Sequence, residues 1–421
     1  MSLKRRTLLH RLAFALALAV LLAVAFSAAV LLIALQALKP EADEWRTSVQ
    51  IGPWRRELSV PGLIRWAAHP LAAPLIDGRV VPTRWGRLQL QRHGAQVQAL
   101  CSPCRLQVAA LGPAPVTLSR ALLLAQHEGA GRFAGTLTLS EGAREVPLSF
   151  TAQLHRRGAD LRLALPATPM ADIVAVFGHD LPEATTVQVR GTLAFVATVR
   201  WPEGTWQAKP ALQDFAVAGL GTERLLGAQL PPACRTAAGD AAPLAGWLPR
   251  ALIAAEDARF YEHAGYETDQ LLAAGQHNQV DGAPLRGAST LTQQLAKLVI
   301  TGDDRSAARK LRELLYAVEM ERTLGKARIL QLYLALAPWG DGVCGAERAA
   351  QVYLGKSASK VGPVSAAWLV SLLRNPDAQL RLYGQSRQID RERVRQIVAG
   401  MRPMSAAQRS LANEQLQEWL P

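Results

Sequence analysis

The chain has 421 residues, more than one core usually serves, since domains tend to stop growing at roughly 100 to 200 residues. Its 47 Lys and Arg against 34 Asp and Glu leave a formal charge of +13. That excess favours acidic partners, whether nucleic acid, anionic lipid head groups or phosphate-bearing substrates, and argues against basic ones.

The N-terminus narrows the choice. Lys4, Arg5, Arg6, His10 and Arg11 precede an uncharged apolar run from Leu12 to Leu38, longer than the roughly 20 residues that cross a bilayer. The reading is a cytoplasmic N-terminus over 1–11, a transmembrane helix over 12–38 and everything after Lys39 outside, because the basic residues precede the span. A cleaved signal peptide would have an apolar region of only about 7 to 15 residues. Nucleic acid is then excluded as a partner by topology, and inner membrane lipids and lipid phosphates remain. Four cysteines on the outer side are free to oxidise. Cys101 and Cys104 flank Ser-Pro between alternating, strand-like residues, so they are disulfide candidates and not a redox pair opening a helix. Pairing of Cys234 with Cys344 is left open by the sequence.

From 41 to 225 the pattern is β-rich. Alternating runs at Arg87–Gln91, Gly135–Leu139 and Asp160–Leu165 are separated by Gly, Pro and charged turns, as in an antiparallel sheet. Thr168–Phe177 reads as one short helix, and Arg190–Trp206 returns to strand and turn. The simplest role for this region is a spacer. Residues 226–243 turn to Pro, Ala and Gly and read as a linker. From 244 to 421 the periodicity is helical, with long amphipathic helices over Ala307–Leu336. The fold class is therefore multidomain: a transmembrane helix, a β-rich extracytoplasmic domain and a mostly α-helical domain.

Four segments of the helical part carry candidate chemistry. On a continued helix Glu256, Phe260 and His263 would share a face, with Asp257 turned about 100° away; a lined cleft and a solvated amphipathic helix fit equally well. In Gly287–Lys297, Thr290 and Gln293 form a capping box, exposing a helix start that favours a phosphate or carboxylate, with Gln294 and Lys297 one turn apart. A plain capped helix is the alternative. In the third segment Arg305, Arg309 and Glu313 are spaced four apart with Lys310 beside them, which would keep Glu313 ionised; a surface ion-pair ladder reads the same way. Gly340-x-Gly342-x-x-Gly345 follows helix and not strand, so it is read as a tight turn and not as a dinucleotide loop.

Order decides among these readings. Glu-Asp-x-x-Phe-x-x-His-x-Gly at Glu256–Gly265, Gly-x-Ser-Thr-x-x-Gln-Gln-x-x-Lys at Gly287–Lys297, Arg-Lys-x-x-Glu at Arg309–Glu313, Ile-Leu-x-x-Tyr-Leu at Ile329–Leu334 and the Gly340–Tyr353 stretch occur in one sequence. Together they resemble the peptidoglycan glycosyltransferases of family 51, over roughly Leu244 to Arg402. The resemblance implies a lysozyme-like catalytic domain that polymerises lipid II, with inversion at the anomeric carbon and release of undecaprenyl pyrophosphate. Glu256 would be the base and Glu313 the second catalytic carboxylate. Asp257, Phe260, His263, Ser289, Thr290, Gln293, Gln294, Lys297, Arg305, Arg309 and Lys310 would bind substrate. A divalent cation (Mg or Mn) bridging Glu313 and the phosphates is the one cofactor implied. The expected partners are lipid II, the nascent glycan chain, inner membrane lipids and envelope proteins reached through the β-rich domain. Leu298 and Ala335 depart from the family pattern, which has Asn at each position.

Overall fold

The computed structural model describes residues 21–22, 24–25, 36, 38–51, 54–69, 76–106, 115–235, 244–268, 289–302, 307–386 and 389–418. The apolar run 12–38 lies almost wholly outside these residues. Among the described residues no helix is long and apolar enough to cross a membrane.

The chain opens on a hairpin of β1 (Arg46–Ile51) and β2 (Trp54–Ser59), followed by α1 (Val60–Ala68). The Ser59 hydroxyl accepts the Gly62 N–H at 2.8 Å and starts that helix. An antiparallel sheet follows, built from β3 (Val80–Thr83), β4 (Gly86–His93), β5 (Gln96–Leu106), β6 (Val116–Leu118), β7 (Arg120–Gly129), β8 (Arg132–Glu141), β9 (Arg144–His155), β10 (Gly158–Pro169), β11 (Gln188–Trp201) and β12 (Thr205–Ala218). Its order is β12-β11-β10-β9-β8-β7-β5-β4-β3, with β6 paired to β5. The three alternating runs singled out in the sequence fall in β4, β8 and β10, as expected where alternate residues serve opposite faces. Cys101 and Cys104 form a disulfide, and both lie within β5.

The short helix after β10 is α2 (Met170–Phe177). Then come α3 (Trp247–Glu256), α4 (Leu291–Ala296), α5 (Ala307–Thr323), α6 (Gly325–Leu336), α7 (Ala346–Leu354), α8 (Pro363–Ser371), α9 (Pro376–Ser386), α10 (Arg391–Gly400) and α11 (Ala406–Glu418). The amphipathic run expected over 307–336 is two helices, because the chain turns at Leu324 into Gly325, whose φ is +70°.

Two compact units divide the chain. One holds residues 1–105, 118–166 and 194–209; the other holds 106–117, 167–193 and 210–421. The division does not follow the linear boundary read at 226–243: α2, the segment after it and residues 210–225 belong with the helices. They share one core, in which Met170, Val174, Leu181, Val217 and Leu220 join Leu252, Leu291, Leu315, Ile329 and Trp368. Within it α8 is apolar on every side, with Val364, Ala366, Ala367, Trp368, Leu369 and Val370 all buried, as befits a central helix. α3 and α10 pack on α8, while α4 rests on α5 and α6.

A second disulfide joins Cys234 to Cys344 within this unit, settling the pairing the sequence left open. Cys344 closes the turn read from the glycines: Pro338 and Cys344 pair across it and α7 follows. Gly340, at φ +90°, has no room for a Cβ, which would come within 2.5 Å of Leu380.

Candidate active site

Glu256 is the last residue of α3, and the helix does not continue. Asp257 leaves it with φ −159° and ψ 74°, and residues 258–265 run on as turns. The shared helical face expected for Glu256, Phe260 and His263 therefore does not form, and the break separates their roles. Glu256 keeps a partly exposed carboxylate, 19 % open. Asp257, Phe260 and His263 turn inward.

Those inward residues build the frame. His263 Nε2 donates to the Asp257 carboxylate at 3.0 Å, and Nδ1 accepts the Gly265 N–H at 3.0 Å; the proton assigned by this network sits on Nε2. Asp257 Oδ2 also accepts the Leu291 N–H at the start of α4, at 2.9 Å. The protein's own carboxylate thus sits at that helix start, where negative charge is favoured. Thr290 and Gln293 form the expected capping box, and the Thr290 hydroxyl donates to Gly265 O at 2.8 Å. Both are buried and committed to α4. Gly265 explains itself by closeness: a Cβ there would lie 2.9 Å from Ala317 O on α5. Phe260 is fully buried, with Lys326 Nζ 4.5 Å from its ring centre. The side chains of Asp257, Phe260, His263, Thr290 and Gln293 are all buried and packed into the frame.

The outward-working groups form a connected path. Gln294 Nε2 donates to Glu256 Oε2 at 3.3 Å and to Ser289 O at 3.5 Å. The Ser289 hydroxyl accepts from Lys310 Nζ, which also donates to Glu313 Oε2 at 3.0 Å. Arg309 Nη1 donates to Glu313 Oε1. The two carboxylates named from the sequence are therefore linked, Glu256 through Gln294, Ser289 and Lys310 to Glu313. Lys297 opens a π-helical turn, Lys297–Thr301, directly after α4, a form of turn frequent at functional sites. Arg305 lies outside the described residues.

Glu313 is 2 % exposed, and each oxygen already accepts from a cation. Both oxygens are thus engaged by cations carried on α5 itself. Among the described residues no three His, Cys, Asp or Glu side chains gather as a metal site.

Two residues at Glu256 were not singled out from the sequence. Tyr333 OH donates to Gln294 Oε1 at 2.7 Å; burial, and then the Glu256 charge, push its phenol well above the ordinary value of 10.0, so it stays a donor. It stands in the Ile-Leu-x-x-Tyr-Leu motif, which was the available signal. Arg393 on α10 has Nη2 3.8 Å from Glu256 Oε1 and donates to Ala255 O at 3.1 Å. Nothing local marks it among Arg391, Arg393 and Arg395. Of the two departures, Leu298 is exposed, while Ala335 is buried against Leu230 and Cys234.

The arrangement is thus a partly exposed carboxylate oriented by a neutral amide and joined through hydrogen bonds to a second one neutralised by cations. The comparisons point to one class. Residues 235–402 match the family model described as Transglycosylase. The chain is 40 % identical over 148 residues to the "Biosynthetic peptidoglycan transglycosylase" of Azoarcus sp. (strain BH72), covering 35 % of this chain and 64 % of the relative. Against the proteins of the same name from Nitrosomonas eutropha and Bordetella pertussis it is 41 % and 45 % identical over 144 and 133 residues. Those matches cover 34 % and 31 % of this chain and 57 % and 55 % of the relatives, so the chain spans little more than half of their length.

Proposed function

We propose that this protein is a peptidoglycan glycosyltransferase that polymerises lipid II into glycan strands with inversion at the anomeric carbon. Glu256 accepts the proton of the acceptor's 4-hydroxyl as that oxygen bonds to the anomeric carbon of the growing chain. The bond from that carbon to the pyrophosphate oxygen breaks, and undecaprenyl pyrophosphate leaves with its electron pair. Lys310, Arg309 and Lys297 stabilise the charge that accumulates on it. Glu313 holds Arg309 and Lys310 in register and is not itself a proton carrier. No step is routed through a divalent cation.

The observation that carries this reading is the path from Glu256 through Gln294, Ser289 and Lys310 to Glu313, inside the stretch that matches the Transglycosylase model. Base and leaving-group cations are fixed by one hydrogen-bonded frame, as an in-line displacement requires. The helical domain is read as lysozyme-like. The run 12–38 is read as an inner-membrane anchor with the N-terminus in the cytoplasm and the catalytic domain in the periplasm; Leu21, Leu22 and Val24 within it are helical and exposed. An anchor suits a substrate that is itself a membrane lipid. The β-rich domain then stands outside the membrane, placed for an envelope partner.

The test is incubation of the purified full chain with fluorescent lipid II, resolving products on a gel. The reading expects a polymer ladder with release of undecaprenyl pyrophosphate. Bound but unpolymerised lipid II would instead mark a lipid II-binding relative, and shortening of preformed glycan would mark a lytic enzyme.

A further inference from the structure

Helix α5 carries two polar stripes. At 100° per residue, Arg309, Lys310, Glu313, Ala317 and Glu321 fall on one side, and Arg312, Tyr316, Glu319 and Thr323, at i, i+4, i+7 and i+11, fall on another. The first side serves the site: Lys310 reaches Ser289, Ala317 meets Gly265 and Glu321 accepts from Thr292. The second is met by Glu183, Leu220 and Thr222 of the same compact unit, all of which precede the transglycosylase match at 235–402.

The contacts run the length of that second stripe. Arg312 Nε donates to Glu183 Oε1 and Oε2 at 2.9 Å each, Arg312 Nη2 donates to Oε1 at 2.5 Å, and Tyr316 OH donates to Oε1 at 3.0 Å. Leu220 N–H donates to Glu319 Oε1 at 3.1 Å, and the Thr222 and Thr323 hydroxyls lie 2.7 Å apart. The Glu183 side chain is 11 % exposed and that of Arg312 21 %.

Arg312 immediately precedes Glu313 and is two residues from Lys310. The ion pairs of Glu313 with Arg309 and Lys310 lie within α5 and move with it, so they cannot fix where the helix sits. A forked guanidinium–carboxylate pair anchored outside the helix can, because it fixes both direction and distance. We infer that Glu183 is a positioning residue for glycosyl transfer: by gripping Arg312 it sets the rotation of the first turns of α5 and so aims Arg309 and Lys310 at the leaving phosphate. The inference rests on the function proposed above. It makes a segment outside the family-matched stretch part of the machinery.

The test compares the purified full chain with Glu183→Gln, Glu183→Ala and Arg312→Lys on fluorescent lipid II, with Glu44→Gln, a buried carboxylate of the other unit, as control. A displacement of about 1 Å can cost roughly a hundredfold in rate, so a partial loosening is expected to lower kcat roughly tenfold with KM within twofold. The control keeps the wild-type kcat. If Glu183→Ala does not fold, Glu183→Gln and Arg312→Lys carry the test, since they remove the charge or the fork with little change of volume. A kcat within twofold of wild type in both, whatever their melting temperature, overturns the inference. Hydrogen exchange supplies an arm free of substrate: amides of Ala307–Glu313 should exchange faster in Glu183→Gln while those of Ile329–Leu334 do not change. Unaltered exchange in the first turns of α5 also overturns it. Wild-type protein that makes no polymer contradicts the proposed function alone, and the exchange arm then still decides whether Glu183 holds α5.

Discussion

Gln294 donates its amide to Glu256 at 3.3 Å while accepting from Tyr333 at 2.7 Å. The tyrosine fixes which end of the amide faces the carboxylate. With a donor on its oxygen, the amide nitrogen is turned to Glu256. Tyr333→Phe keeps the ring and releases that choice, so kcat should fall roughly tenfold, the equivalent of one hydrogen bond of about 1.4 kcal/mol. Steady-state polymerisation measures it. Unchanged kcat would mean that Gln294 holds its orientation without Tyr333.

Lys310 contacts Ser289 and Glu313 together, which puts its ammonium where the site's two halves meet. Lys310→Ala is expected to lower kcat by roughly a hundredfold or more, the scale seen when a group stabilising transition-state charge is removed. Glu313→Gln should cost nearly as much, because Arg309 and Lys310 lose the anion that orders them. A double variant no worse than either single one would show that the two act as a unit.

The Glu183–Arg312 pair gives a dependence on pH. Burial raises the Glu183 pKa, but the hydrogen bonds from Arg312 and Tyr316 and the Arg312 charge outweigh it, leaving the carboxyl below its ordinary value of 4.5. A carboxylate with a depressed pKa in the folded state contributes stability above its unfolded value and loses it as pH falls through the folded one. Glu183→Gln should therefore melt lower than wild type at pH 7, by an amount reflecting about 3 kcal/mol for breaking a largely buried pair. The gap should close below pH 4.5. Thermal melts of both proteins from pH 7 to pH 3 check the sign, and a gap that widens on acidification would contradict it.

Cys234 and Cys344 are separated by 110 residues, Cys101 and Cys104 by three. A long closed loop constrains the unfolded chain most, up to about 4.7 kcal/mol for a loop of roughly 100 residues. Replacing Cys234 and Cys344 by Ser should lower the melting temperature of the helical unit by several degrees, whereas the same change at Cys101 and Cys104 should leave that transition in place. Equal shifts would argue against the loop-length account.

Much of this was legible because it depends on local pattern. Alternation marks β4, β8 and β10, and Thr290 with Gln293 marks the start of α4, since capping is decided within four residues. Glu256, Ser289, Gln294, Lys310 and Glu313 all stand in the ordered motifs, and the fold connects them. What failed was continuation: Glu256–Asp257–Phe260–His263 has helical spacing, yet Asp257 leaves the helix to cap α4, a partner 34 residues away. Its carboxylate accepts the first N–H of that helix, a contact that local spacing does not reveal. Arg393 and Glu183 were invisible for a related reason. Each meets its partner across more than a hundred residues, and neither stands in a pattern of its own.

The central claim is that Glu256 takes the proton of the attacking hydroxyl, and the most direct measurement is the single-turnover rate of lipid II polymerisation by wild type and Glu256→Gln. The glutamine keeps the shape and a contact with Gln294 but cannot act as the base. General-base removal predicts a loss of roughly a hundredfold to ten-thousandfold, with lipid II binding retained and the melting temperature little altered. A Glu256→Gln protein that polymerises within a few-fold of wild type would contradict the account.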